Sequence, residues 1–174
     1  MGLASKLAAF AARLTSDSKV PQAALAANVA GNGPAFSVYR NANQTVSPAT
    51  STKIAFNAEV FDTHGAFDST TNYRFQPTIA GYYHISAGTT QPNASGSAYI
   101  EVDLIATSGG KSGSASIGVN GVLYPRTVVS ALIYLNGSTD YVEAYVYGAN
   151  GGGSFDVLAG AAQTWMTGYL AKAA

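Results

Sequence analysis

The chain has 174 residues, with 9 basic and 9 acidic side chains and only 10% charged residues, against roughly 25% in an ordinary soluble domain. Zero net charge argues against nucleic acid or an anionic membrane as a partner, since both are held by clustered positive charge. No apolar run approaches the 18 or so residues of a bilayer span, and the lack of cysteine removes disulfides, thiolate catalysis and cysteine-bound metals.

A surface so short of charge stays soluble under a coat of Ser, Thr, Asn and Gln, or is covered by partner chains. The chain opens with an Ala-rich stretch that predicts a helix over residues 1–14. Leu3, Leu7, Phe10 and Leu14 are spaced 4, 3 and 4 residues apart, which places them on one stripe of that helix. A secretory signal competes for the segment, but Arg13 interrupts its short apolar region. Myristoylation would want Ser or Thr where Lys6 follows Met1-Gly2. The remaining reading is a docking helix. A helix this short is marginal alone in water, and each large apolar side chain contributes on the order of 1.5–3 kcal/mol when fully buried against a partner. Pro21 fits the first turn of a second short helix. Gly31-Asn32-Gly33-Pro34 then breaks regular structure. The boundary follows: a helical docking arm and linker over residues 1–33, and a domain over 34–174.

From Ala35 onward, short strand patterns alternate with turn signals about every ten residues, which predicts an all-β sandwich. Ile54, Phe56, Ala58 and Val60 share one face of a strand, with Lys53, Asn57 and Glu59 on the other. The pattern repeats with Ile100, Val102 and Leu104 against Glu101 and Asp103. Period two with one wet face means antiparallel sheet. The run Thr127–Leu135 is apolar on both faces, so it is expected to be covered from outside as well, by a neighbouring subunit. Val129, Ala131 and Ile133 are the expected contacts there. In the next strand Val142, Ala144 and Val146 read as core, leaving Tyr141, Tyr145 and Tyr147 on the opposite face with Glu143. Tyrosines can cover a wet sheet face or line an interface. With 11 of them in so uncharged a chain, the interface is the expectation.

Catalytic chemistry is thin. The two histidines are His64 and His84. The segment Ser114-Ala115-Ser116-Ile117-Gly118 lacks the first glycine of a nucleophile elbow. Gly109-Gly110-Lys111-Ser112 ends like a phosphate-binding loop, but the first glycine of that motif would fall at Ile105, inside a strand, with no helix to follow. A hairpin turn is the expectation. Asn43, Asn93 and Asn136 each begin a glycosylation tripeptide and read as polar loops. The chain is expected not to be an enzyme.

Four stretches taken together resemble a known family: Ala35-Phe36-Ser37-Val38; Phe61-Asp62-Thr63-His64-Gly65-Ala66-Phe67-Asp68; Phe75-Gln76-Pro77 with Gly81-Tyr82-Tyr83; and Trp165-Met166-Thr167-Gly168-Tyr169-Leu170. They resemble the C1q-like domain of the C1q and tumour necrosis factor superfamily. The resemblance covers about residues 34–174. It implies a ten-stranded antiparallel jelly-roll sandwich that packs as a homotrimer. A knob of this type behind a short Ala-rich arm, without a collagen-like stem, looks like the C1q-like proteins of bacteriophage virions, found in head or tail fibres and decoration proteins. That likeness implies a virion structural protein on the particle surface. Its arm would dock on other virion proteins, and its loops Gln91–Gly96 and Ala149–Ser154 would meet host surface glycans. The alternative is a soluble lectin-like or receptor-binding trimer. Some C1q-like trimers hold Ca²⁺, for which Asp62, Asp68, Asp140 and Asp156 are the available acids. Nothing here has EF-hand spacing, so these are expected to be turn residues, and no cofactor is expected.

Overall fold

Apolar side chains on alternate residues leave each strand one dry face, and two sheets satisfy them by packing face to face. The computed structural model describes residues 31–92, 97–107, 110–119, 124–150 and 153–174. The expected arm helix, with Leu3, Leu7, Phe10 and Leu14, lies outside them. The described residues contain strands and turns and no helix. The strands are β1 (Ala35–Tyr39), β2 (Gln44–Val46), β3 (Thr52–Lys53), β4 (Ala58–Asp62), β5 (Phe67–Asp68), β6 (Arg74–Phe75), β7 (Gly81–Thr90), β8 (Ser97–Ala106), β9 (Gly110–Gly118), β10 (Arg126–Leu135), β11 (Val142–Asn150), β12 (Phe155–Val157) and β13 (Trp165–Ala173). Eight of these run five residues or more, and the others are pairings of two or three residues. The ten-stranded reading is thus fragmented at its short strands.

One sheet has the order β10-β7-β13-β1-β4. The other runs β5-β6-β11-β8-β9, with β3 also on β11, and β2 pairs with β12 in a small ribbon. All pairings are antiparallel. The first and last strands of the domain are neighbours, with Ser37 opposite Thr167. The chain changes layer from β7 to β8, from β9 to β10, from β10 to β11 and from β11 to β13, while β8 and β9 pair as a hairpin within one sheet. That arrangement is a jelly roll.

The core fills the space between the layers. Ile100, Val102 and Leu104 of β8 and Val142, Ala144 and Val146 of β11 are buried, as their alternation predicts. They face Phe36 and Val38 of β1, Tyr83 and Ile85 of β7 and Met166 of β13, all fully buried. Phe36 stacks on Phe75 at 4.4 Å and on Phe67 at 5.3 Å, and Phe75 meets Tyr83 edge-on at 5.3 Å. Offset and edge contacts of this kind add to the value of the buried area. The Tyr83 hydroxyl is satisfied by donating to the Ile79 carbonyl at 2.7 Å. Gly168 is required by close approach, since a Cβ there would overlap Ile85 Cδ1 and lie 2.8 Å from the Phe36 ring. At Gly81 the constraint is also proximity, with the Lys172 carbonyl oxygen 2.5 Å from a Cβ position.

One alternation fails. Ile54 and Phe56 are buried as expected, but Val60 stands out from the sheet. Opposite β4 the register of β1 shifts between Ser37 and Val38. A bulge of this kind lets a residue leave the face its sequence parity assigns.

Candidate functional site

The outer face of the five-stranded sheet is built by the side chains that the core leaves over. On β10, Thr127, Val129, Ile133 and Leu135 are buried, so Val128, Ser130, Leu132 and Tyr134 point away from the core. Val128 is 56% and Leu132 63% exposed. Across the sheet the register aligns Leu132, His84, Tyr169 and Ala35 in one row. The next row is Ser130, Ser86, Thr167, Ser37 and Phe61, and Tyr134 stands opposite Tyr82. A narrow polar row therefore lies between apolar ones. Nine large apolar side chains are exposed among the described residues; six of them stand on this face and Val60 at its edge.

The polar groups on the face are mutually bonded. Ser86 and Ser130 share a hydroxyl hydrogen bond, Ser130 Oγ is 3.3 Å from His84 Nε2, and Thr167 donates to the Phe36 carbonyl at 2.9 Å. The His84 ring tilts against Tyr169 at 5.5 Å, and Tyr82 against Tyr134 at 5.3 Å. A serine beside a histidine is the start of a nucleophile pair, but a working one needs a third group to orient the base. Tyr169 packs on the imidazole here, and among the described residues no carboxylate accepts a hydrogen bond from it.

This corrects the interface read from β10. Val129 and Ile133 are each 4% exposed and sit in the core with Ala131 packed beside them, so they serve the chain's own sandwich. Their neighbours of opposite parity, Val128, Leu132 and Tyr134, are the exposed side chains of the strand. The tyrosines of β11 occupy the other sheet. The Arg74 guanidinium lies 4.2 Å from the centre of the Tyr141 ring, Tyr145 donates to Glu143 Oε2 at 2.8 Å, and the Tyr147 ring tilts against Tyr99 at 6.0 Å. All three are half-buried within their own chain. Burial and the neighbouring Glu143 carboxylate push the Tyr145 hydroxyl up to about 12. Beneath it Glu143 is 7% exposed and pairs with Lys53 at 2.7 Å, which is how an outward-facing acid becomes buried.

The four acids are all engaged within their own chain. Asp62 accepts the amides of His64 (3.1 Å) and Phe67 (2.7 Å). Asp68 accepts those of Thr70, Thr71 and Asn72. Asp140 accepts from the Asn136 amide and Asp156 from the Thr45 hydroxyl. Among the described residues no three His, Asp or Glu side chains converge as a metal site would require. Of the loops expected to meet glycans, residues 93–96 and 151–152 lie outside the described residues.

No protein-family model matches the chain, and no curated protein matches it. Solved structures do. The globular domain of zebrafish complement 1qA is similar over 81% of this chain and 98% of its own, with a TM-score of 0.62 and 19% identity. Murine APRIL matches over 79% of this chain and 98% of its own, with a TM-score of 0.61 and 8% identity. Eiger TNF from S. frugiperda matches over 80% and 93%, with a TM-score of 0.58 and 11% identity. The fold is the C1q/TNF jelly roll. At these identities the likeness is one of backbone architecture.

Proposed function

We propose that this chain is a non-enzymatic, homotrimeric knob whose subunits bury the outer face of the five-stranded sheet against one another. The observation that carries the reading is the row of Val128, Leu132 and Tyr134, continued by Tyr82, Tyr169 and Phe61, on a single sheet face. Contiguous apolar patches of this kind on soluble proteins mark contact surfaces. Domains of this fold are typically trimeric, and closed rotational symmetry gives each copy the same contacts and leaves no open edge. Its polar row suits a subunit interface, because the Ser86–Ser130–His84 bonds are already made within each chain and leave few polar groups to desolvate unpaired.

The arm supplies the second half of the proposal. The stripe Leu3, Leu7, Phe10 and Leu14 would tether the knob to a larger particle, and the resemblance to phage C1q-like proteins points to a virion surface, with the protein made in the bacterial cytoplasm. Against it stands a soluble recognition trimer in which the arm merely links to another chain. Deleting residues 1–33 separates the two: loss of the protein from purified particles, with the trimer retained, supports the tether. Unchanged incorporation refutes it.

A further inference from the structure

The outer face of the second sheet carries a depression of about 360 Å³ that the subunit interface does not use, at the small end of the range for ligand sites. It lies over β8, β9 and β11, with Tyr99, Tyr147, Glu101, Asp103, Lys111 and Ser51 around it. The hairpin of β8 and β9 sets Lys111 opposite Ile105, and its long side chain reaches along β8 to the two acids. Its ammonium bonds to Glu101 and lies 2.9 Å from Asp103 Oδ2, and Glu101 also accepts from the Ser114 hydroxyl at 3.0 Å.

One group is left over. Asp103 is only 5% exposed, and its Oδ1 has no hydrogen-bond donor. An unpaired buried acceptor is a cost the fold carries unless something donates to it. Beside it, the Tyr99 and Tyr147 rings, 6.0 Å apart and inclined at 35°, make an aromatic flank, and Tyr99 is 37% exposed. Lys111 bridges both carboxylates, which answers one of their two negative charges. What remains is a carboxylate acceptor next to an aromatic surface.

We propose that this depression binds a neutral saccharide, one C–H face of a pyranose lying on Tyr99 and Tyr147 while a ring hydroxyl donates to Asp103 Oδ1. A pyranose has both an apolar face and rim hydroxyls, so one ligand meets both demands. A cationic ligand competes with Lys111 for the carboxylates. The site lies on the opposite sheet from the assembly face, so it stands or falls independently of the trimer.

The test is saturation-transfer difference NMR on the full chain with methyl glycosides of glucose, galactose, mannose and N-acetylglucosamine, and with methylammonium chloride as the cationic probe. At least one glycoside should receive transfer, strongest at ring C–H protons, and bind about tenfold more weakly to Tyr99→Ala or Tyr147→Ala than to wild type. Asp103→Asn should weaken it as well. Tyr99 lies at the surface, so its variant keeps the test open if Asp103→Asn fails to fold, as judged by its melting transition. No transfer to any of the four, transfer that survives both tyrosine variants, or tyrosine-dependent binding of methylammonium alone overturns the proposal.

Discussion

Replacing Leu132 with Asp tests the assembly face at its most exposed apolar residue. In the single chain Leu132 is 63% exposed, so most of its burial is still available to a partner. Full burial of a leucine is worth about 1.5–3 kcal/mol, which leaves about 1–2 kcal/mol per chain for the interface to gain. A carboxylate in its place loses that gain and adds a desolvation penalty of several kcal/mol where no cation meets it. A conservative sum is about 3 kcal/mol per chain and about 9 kcal/mol per trimer, which at tenfold per 1.4 kcal/mol is roughly six orders of magnitude in the assembly constant. Sedimentation velocity on the full chain should therefore show the variant as monomer at concentrations where wild type is trimer. Ser116→Asp, at an exposed position on β9 in the other sheet, should leave assembly unchanged, and the circular dichroism of both variants should remain that of a β sandwich. A Leu132→Asp chain that still sediments as a trimer would refute the assignment of this face.

Three further outcomes follow from the fold. Gly168→Ala pushes a methyl group into Ile85 and the Phe36 ring; overpacking of this sort costs about 1–3 kcal/mol, so the melting temperature should fall by several degrees, and an unchanged value would contradict the packing. The Tyr83 hydroxyl is pushed up to about 12 by burial, and Tyr145 likewise by burial and by Glu143. Two phenols should thus ionise late in an absorbance titration, one of them vanishing in Tyr145→Phe; since both raised values favour the neutral phenol, the stability they confer is complete below their ordinary 10.0 and lost as pH rises towards 12. Asp68 is held well below its ordinary 3.8 by the amides of Thr71 and Thr70, so its contribution is present above that value and lost as pH falls below it. The melting-temperature gap between wild type and Asp68→Ala should be flat near neutrality and close in acid; a gap independent of pH would show that the amides do not favour the charged form.

The sandwich was legible because most strands have one wet face. Glu101 and Asp103 between Val102 and its neighbours, or Glu143 among the β11 valines, announce which parity faces in. The β10 strand withholds that signal: Val128 and Leu132 are as apolar as Val129 and Ile133, so its own sequence cannot say which set is core. The answer lies in its partner. On β7, His84 and Ser86 alternate with Tyr83 and Ile85, and the pairing of Leu132 with His84 and Ile133 with Tyr83 transfers that polarity to β10. The two strands are far apart in sequence, and nothing short of the register connects them. The β11 tyrosines stand apart from β10 for a topological reason, since β10 and β11 belong to different sheets. The saccharide depression was invisible at the sequence level because Tyr99, Asp103, Lys111 and Tyr147 come from three strands, and only the β8–β9 and β8–β11 pairings bring them side by side.

If copies of this chain cover one another's five-stranded sheets, sedimentation equilibrium of the wild-type full chain will show it. A species of three times the 17.8 kDa chain mass, persisting on dilution to micromolar chain, is the expected result. A single species at 17.8 kDa under the same conditions would mean that Val128, Leu132 and Tyr134 face water, and the assembly proposed here would not exist.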